Sequence, residues 1–214
     1  MPTLYIITGP NGSGKSTVGP AYLPTYLQSN YSVFDGDKLY AQKMHELHSA
    51  KIASSKEARN IAADFVVATL EALLDKALAE RDNFIYEGHF PSYATWKFPK
   101  RFKDAGYFVE MLFLGLRDPD ISEMRVGIRT KKGGHNVPRY DIENNFYGNL
   151  EMLNEHYQIL DHLQIVDTSF FRPKPLAAFK GFEIVSCVKY PDLPEWFVKY
   201  LPTLANQIKS VDSR

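Results

Sequence analysis

The chain has 214 residues, the length of one domain, and its 25 basic and 25 acidic side chains give a formal net charge of zero. This balance argues against a nucleic-acid partner, because nucleic-acid-binding domains usually carry a basic field. With one cysteine, Cys187, the chain can form neither an internal disulfide nor a cysteine-based metal cluster. We expect a cytoplasmic protein, because the N-terminal residues lack the pattern of a signal peptide and no apolar run reaches the ~18 residues of a membrane span.

The N-terminal half predicts strands that alternate with helices. The apolar run 3–8 predicts a buried strand, and a helix should start near Lys15, shortened or kinked by the prolines that follow. Residues 32–34 and 83–89 predict the next two strands. Between them, residues 56–81 predict a long helix, because apolar side chains recur at steps of three and four. These side chains are Ile61, Phe65, Leu70, Leu73, Leu74 and Leu78.

The C-terminal half continues the alternation. Predicted strands cover 107–116, 163–169 and 182–190, and predicted helices cover 94–106, a stretch from Pro138, and about 194–210. Residues 172–175, with two prolines, predict a loop. Strands that alternate with helices indicate a single α/β domain over residues 1–214, with a mostly parallel sheet covered by helices on both faces.

A glycine-rich motif follows the first predicted strand. Gly9-x-x-x-x-Gly14-Lys15-Ser16 fits the Walker A pattern in full, with a strand before it and a helix after it. Glycines let backbone N–H groups turn towards phosphate oxygens, Lys15 can reach the β- and γ-phosphates, and the Ser16 hydroxyl can ligate Mg²⁺. The motif predicts the three-layer P-loop NTPase fold. The predicted nucleotide-binding residues are Gly9, Pro10, Asn11, Gly12, Ser13, Gly14, Lys15, Ser16 and Thr17.

Acidic residues follow two of the predicted strands. Asp35 and Asp37 come directly after the second strand, and Glu87 ends the third. Ligands of open α/β sheets bind beyond the carboxyl ends of strands, so one aspartate can take the proton of a hydroxyl that attacks the γ-phosphate. The alternative is a turn with helix-capping acids. Glu87 can contact substrate hydroxyls or hold Mg²⁺ through water, with a solvent-facing acid as the alternative. His89 can line the same cleft, with a neutral histidine in a loop as the alternative.

The segment 125–139 is basic and contains Gly133 and Gly134, which favour flexibility or a sharp turn. An arginine that arrives from a lid stabilises the charge of a transferring phosphate. Arg125 and Arg129 are four residues apart and would share a helix face. We interpret residues 118–140 as a helical lid that excludes water, with a solvated basic surface as the alternative.

Together these motifs resemble the zeta toxin group of P-loop kinases, and more closely the small bacterial zeta-toxin-like P-loop proteins. The matching pieces follow the expected order over residues 3–169: LYIITGPNGSGKST, FDGDKLY, FIYEGH, GYFVEMLFLGL, RVGIRTKKGGHNVP and LQIVDTS. The resemblance implies a kinase that uses ATP or GTP with Mg²⁺ to phosphorylate a small hydroxyl substrate. In zeta toxins that substrate is a UDP-linked N-acetyl amino sugar. The resemblance also suggests an antitoxin-like protein partner.

The resemblance further implies roles for single residues. Lys15 and Ser16 match the nucleotide and Mg²⁺ contacts. Asp37 matches the base that accepts the substrate proton. We include Asp35, two residues before it, among the substrate-binding candidates because of its place after the second strand. Glu87 matches an acid that contacts substrate.

In the lid, Arg125 or Arg129 matches the family's lid arginine. The chain departs from the family's pattern at two places. His135 lies roughly where the toxins proper carry a second lid arginine, so we include it among the substrate-binding candidates. Asn144 and Asn145 lie where related proteins often have an arginine cluster, and asparagine cannot neutralise phosphate.

Three functions remain open on these residues. The first is a small-molecule kinase. The second is a nucleotide-hydrolysing switch or motor that acts on a macromolecule, for which 214 residues leave little room for coupling elements. The third is a nucleotide-binding relative without catalysis, which the missing arginine cluster favours. A phosphorylated small product, hydrolysis stimulated by a macromolecule, and binding without turnover would distinguish them.

Overall fold

The structure, a computed structural model, describes residues 1–30, 33–51, 54–131 and 136–212. In these ranges seven strands form one sheet in the order β2-β3-β1-β4-β5-β6-β7. They are β1 (Thr3–Thr8), β2 (Val33–Asp35), β3 (Phe84–Glu87), β4 (Phe108–Gly115), β5 (His162–Asp167), β6 (Lys174–Lys180) and β7 (Glu183–Cys187). Strands β1 to β5 are parallel, and β6 and β7 are antiparallel. The predicted mostly parallel sheet is confirmed.

Nine α-helices lie in the same described ranges. They are α1 (Lys15–Val18), α2 (Thr25–Asn30), α3 (Gly36–Ala50), α4 (Ser55–Glu80), α5 (Tyr93–Asp104), α6 (Pro119–Lys131), α7 (Arg139–His156), α8 (Glu195–Tyr200) and α9 (Pro202–Asp212). None of them combines the length and the apolar character that a membrane crossing requires.

Strand β1 lies inside the sheet and is buried along its whole length, because packed elements cover both faces. Leu4 and Ile6 belong to the larger apolar cluster, which includes side chains of α5, α7, α8 and α9. Tyr5 and Ile7 belong to a smaller cluster with Leu27 of α2. This arrangement is the predicted three-layer α/β fold, and it brings the carboxyl ends of β1 to β5 to one edge of the sheet.

The sequence analysis did not predict helix α3. It begins directly after β2, where the Asp35 carboxylate accepts a hydrogen bond from the backbone N–H of Lys38 at 3.0 Å. Asp35 is therefore the N-cap of α3, and Asp37 lies in the first turn. Asp35 therefore takes the helix-capping role that the sequence offered as the alternative. Both acids lie at the start of α3 rather than in a free loop.

Two predictions near the C-terminus were wrong in detail. The segment 172–175, predicted as a loop, overlaps β6, which begins at Lys174. The predicted helix at 194–210 is two helices, because α8 ends at Tyr200 and α9 begins at Pro202. Pro202 is the first residue of α9, where its missing backbone N–H costs no helical hydrogen bond. Pro99, in contrast, lies inside α5 and does not end that helix.

Candidate active site

The glycine-rich loop leaves the end of β1 and leads into α1. At Gly9 φ is 142°, and a Cβ atom there would come within 2.2 Å of the carbonyl oxygen of Leu114. Only glycine fits this position, because a side chain would collide with the backbone of β4. Gly14, at a φ of 90°, is the N-cap of α1. The sequence thus folds residues 9–14 into a tight loop at the carboxyl edge of the sheet.

Lys15 is buried, with 9% of its surface exposed. Its Nζ donates to the carbonyl oxygens of Gly9 at 3.1 Å and Pro10 at 3.2 Å. Burial lowers the pKa of Lys15 to about 8, and the negative charges of Glu87 and Asp37 oppose this change. The loop therefore contains a poorly solvated cation at the position where a phosphate-binding loop needs one.

Ser16 and Glu87 meet at the carboxyl ends of β1 and β3. The Ser16 hydroxyl donates to Glu87 Oε1 at 2.6 Å, because the pairing of the two strands sets Glu87 beside Ile7. Burial raises the pKa of Glu87, and the nearby aspartates add to the rise. A hydroxyl and a carboxylate that converge suit Mg²⁺, which usually takes one or two protein oxygens and completes its shell with water and phosphates. In the described part of the chain no group of three or more His, Cys, Asp or Glu forms a metal cage.

The two aspartates lie at the junction of β2 and α3, beside the strand that ends with Glu87. Asp35 pairs in register with Glu87 across β2 and β3, and its carboxylate caps α3. Asp37 is exposed at the start of the same helix. The charges of both act on Lys15. The strand ends therefore place three carboxylates on one side of the phosphate-binding loop, and Asp37 is the most accessible of them.

His89 lies against the phosphate-binding loop. Its Nε2 is 3.3 Å from Lys15 Nζ and 3.4 Å from Asn11 Nδ2, and its Nδ1 is 3.4 Å from Asn149 Nδ2. Burial and the charge of Lys15 lower the pKa of His89 well below its usual value, so the ring is neutral at pH 7. Its ring therefore contacts the phosphate-binding loop and α7.

Arg125 joins two loops through its guanidinium group. Nη1 donates to the carbonyl oxygen of Gly12 at 3.0 Å, and Nη2 donates to the carbonyl oxygens of Thr168 at 2.8 Å and Ser169 at 3.1 Å. The planar fork of arginine suits such multiple bonds. Arg125 thus links the phosphate-binding loop to the loop after β5.

Arg129, one turn further along α6, is exposed. Its charge adds to the burial that lowers the pKa values of Lys15 and His89. The two arginines that the sequence offered as candidates for the lid therefore have different surroundings: Arg125 is bonded to backbone carbonyl groups, whereas Arg129 is exposed. His135, the remaining predicted lid residue, lies outside the described residues.

A groove of about 470 Å³ lies along β2, between α3 and α4. Of the predicted site residues that the structure describes, only Asp35 lines it, together with apolar side chains such as Leu39 and Leu73. The groove borders the acidic side of the candidate site, and its lining includes no residue of the phosphate-binding loop.

Residues 1–171 match the family model described as Zeta toxin. The chain belongs to the zeta toxin family. No curated protein matches it in sequence. The matched segment of the zeta toxin family contains every predicted site residue and ends before β6, so β6, β7, α8 and α9 lie beyond it.

Solved structures share the fold at low sequence identity. The AvrRxo1-ORF1:AvrRxo1-ORF2 complex with sulphate ions contains a chain that superposes at a TM-score of 0.70 and 15% identity, over 94% of this chain and 64% of that one. The complex with ATP gives the same values. A chain of the PezAT chromosomal toxin–antitoxin system of Streptococcus pneumoniae gives 0.63 and 20%, over 100% of this chain and 85% of that one. This zeta toxin family member spans slightly less than two thirds of the AvrRxo1 chain, and these identities show the fold alone.

Sequence reasoning missed two asparagines of α7. Asn145 Nδ2 donates to Asn11 Oδ1 at 2.9 Å. Asn149 Oδ1 accepts from the backbone N–H of Phe90 at 2.7 Å and from the Thr8 hydroxyl at 3.2 Å. At Asn144 and Asn145 the sequence departs from the family's arginines, but no local pattern predicts the contacts that Asn145 and Asn149 make.

Proposed function

We propose that this zeta toxin family member is a P-loop kinase that transfers the γ-phosphate of ATP or GTP to a hydroxyl group of a small molecule. The observation that carries the proposal is the bond of 2.6 Å between the Ser16 hydroxyl and the Glu87 carboxylate, beside the buried Lys15. These residues suit Mg²⁺ and phosphate together, which phosphoryl transfer requires. Mg²⁺ held by Ser16 and Glu87 would neutralise charge on the β- and γ-phosphates.

In the proposed reaction Asp37 accepts the proton of the acceptor hydroxyl. The hydroxyl oxygen attacks the γ-phosphorus, the bond to the β–γ bridging oxygen breaks, and the nucleoside diphosphate leaves. Lys15 and Arg129 balance the negative charge of the transferring oxygens. Asp37 suits this role because it is exposed, whereas the Asp35 carboxylate is bound in the cap of α3.

A UDP-linked N-acetyl amino sugar is the first acceptor to test, because the sequence resembles the zeta toxins. ATP is the first donor, because ATP is named for the AvrRxo1 complex that shares the fold. Neutral polyols and sugars form the second panel.

The test is to follow ATP and each acceptor with Mg²⁺ by ³¹P NMR and mass spectrometry. Wild type should give a phosphorylated small product. Asp37→Asn should lower its rate by about 10²–10⁴-fold, the usual contribution of a general base. The matched control is Asp64→Asn, an exposed aspartate of α4, which should leave the rate unchanged.

Other outcomes would favour other functions. Hydrolysis that DNA, RNA or a protein stimulates, with no phosphorylated small product, would indicate a switch or motor. Tight nucleotide binding without turnover over the whole panel would indicate a non-catalytic relative. An Asp37→Asn variant with full activity would remove Asp37 from the mechanism.

We also propose a protein partner that restrains this kinase. The support is that one structure of the same fold belongs to a toxin–antitoxin system. Expression of the chain alone should then slow the growth of its host, and Lys15→Met should remove the effect. Equal growth with both chains would contradict this part of the proposal.

A further inference from the structure

Helix α7 packs on the phosphate-binding loop through a polar face. Asn145 and Asn149 lie one turn apart on this face. Gly148 lets the helix come close to the loop that follows β3, because a Cβ atom there would lie 2.5 Å from the carbonyl oxygen of Pro91. Asn149 is 2% exposed and donates to the carbonyl oxygen of Asn145, so the two residues are fixed together.

Asn145 reaches the catalytic region through one residue of the loop. Its amide nitrogen donates to Asn11 Oδ1 at 2.9 Å, and Asn11 is 5% exposed. The Asn11 amide nitrogen is in turn 3.4 Å from His89 Nε2, which lies 3.3 Å from Lys15 Nζ. A chain of short polar contacts therefore runs from α7 to the lysine.

The next residue of the loop, Gly12, is held from helix α6. Arg125 of α6 donates to the carbonyl oxygen of Gly12 at 3.0 Å. Arg139, at the start of α7, forms ion pairs with Asp120 at 2.7 Å and Glu123 at 2.5 Å, both on α6. Two helices that are tied to each other thus hold two consecutive residues of the loop.

We propose that Asn145 is a positioning residue that acts through Asn11 and holds the loop in the shape that receives phosphate. Asn145 itself does not touch the phosphates. A loop that is already ordered loses less conformational freedom on binding, so nucleotide binds more tightly. Neutral asparagine fits this role, whereas an arginine there would bring a second positive charge towards Lys15. The expected effect of Asn145 on nucleotide affinity rests on the proposed function, whereas its effect on the order of the loop does not.

The first arm of the test needs no nucleotide. Hydrogen exchange of the loop amides from Asn11 to Gly14 is compared in wild type, Asn145→Ala and Asn144→Ala. Asn144 is the matched control, because it is exposed on the same helix and adjacent in sequence. Loss of one partly buried hydrogen bond should speed exchange about fivefold in Asn145→Ala and leave Asn144→Ala like wild type.

The second arm is a double-mutant cycle on the dissociation constant of MgATP, measured by calorimetry. Asn145→Ala should weaken binding about fivefold in the wild-type background. In the Asn11→Ala background it should have no further effect, because the partner of Asn145 is already absent. Melting temperatures are recorded so that all variants are compared in the folded state.

Unchanged exchange of the loop amides in Asn145→Ala would overturn the proposal. Additive effects of the two substitutions on the dissociation constant would also overturn it, because they would indicate a general role of Asn145 in folding. If wild type binds neither ATP nor GTP, the proposed function fails, and the exchange arm still decides whether Asn145 positions the loop.

Discussion

Replacing Lys15 by methionine should stabilise the nucleotide-free protein while it removes phosphate binding. The pKa of Lys15 falls from 10.5 to about 8 in the folded protein, mainly because the side chain is buried. A tenfold change in proton affinity is worth about 1.4 kcal/mol, so keeping the ammonium charged at pH 7 costs about 3 kcal/mol of folding free energy. Residues that serve binding often carry such a cost.

Methionine removes this cost but also loses the two hydrogen bonds to Gly9 and Pro10. Each such bond contributes about 1 kcal/mol, so the net gain in unfolding free energy should be about 1–2 kcal/mol. In a domain of this size that corresponds to a rise in melting temperature of roughly 3–6 °C. Lys97→Met, at an exposed position of α5, is the matched control and should give no gain.

The pH dependence of the stability difference between wild type and Lys15→Met shows whether the buried charge of Lys15 causes it. The folded pKa of Lys15 lies below the unfolded value, so between pH 8 and 10.5 the unfolded chain binds more protons than the folded chain. Wild-type stability therefore rises relative to Lys15→Met over this range, and the advantage of the variant should fade. Urea unfolding of both chains from pH 7 to 10 measures the difference. A variant that is less stable at pH 7, or a gain that stays constant with pH, would refute the reasoning.

Three further substitutions test the supports of the loop. Asn149→Ala removes the acceptor of the buried N–H of Phe90 and should lower the unfolding free energy by about 1–3 kcal/mol in urea titrations. A loss below about 0.5 kcal/mol would show that this hydrogen bond contributes little to stability. Arg125→Lys keeps the positive charge but loses the planar fork that bonds to both loops, so it should weaken MgATP binding measured by calorimetry. Unchanged affinity would show that nucleotide binding does not need the link between the two loops. Gly9→Ala would place a methyl group 2.2 Å from the carbonyl oxygen of Leu114, so it should abolish nucleotide binding, and a variant that binds normally would contradict the described loop.

The arrangement of the phosphate-binding loop and the strand-end acids could be predicted because its signals are local. Each acid directly follows a short apolar run, and the ends of parallel strands meet at one edge of a sheet. That rule is enough to bring Asp35 beside Glu87, as the register of β2 and β3 does. The spacing of the glycines before Lys15 specifies the loop in the same local way.

Elements without a local apolar signal could not be predicted. Leu47 is the one residue of α3 that is fully buried, and the helix packs on α4 mainly through partly buried side chains such as Tyr40 and Met44, so its apolar periodicity is weak. The start of strand β6 could not be predicted, because Pro173 and Pro175 normally argue against a strand. Pro175 is tolerated because it lies where the pairing of β5 and β6 shifts register.

The supports of the candidate site depend on contacts that no local pattern encodes. Asn145 and Asn11 are 134 residues apart, and Arg125 and Gly12 are 113 residues apart. Polar residues on a helix are usually solvated, so their sequence gives no sign that a distant loop is their partner. Spacing could show that Arg125 and Arg129 share a helix, but only the tertiary structure shows that they have different neighbours.

Helices α8 and α9 limit how far the chain can be truncated from its C-terminus. Trp196 of α8 lies so close to Gly115, at the end of β4, that a Cβ atom there would come within 2.2 Å of its ring. Phe197, Leu204 and Ile208 are buried in the same cluster. A chain that stops at residue 171 would keep every residue that the family model matches, but it would expose the part of this apolar cluster that α8 and α9 cover. The segment that the family model matches is therefore smaller than the apolar core to which it belongs.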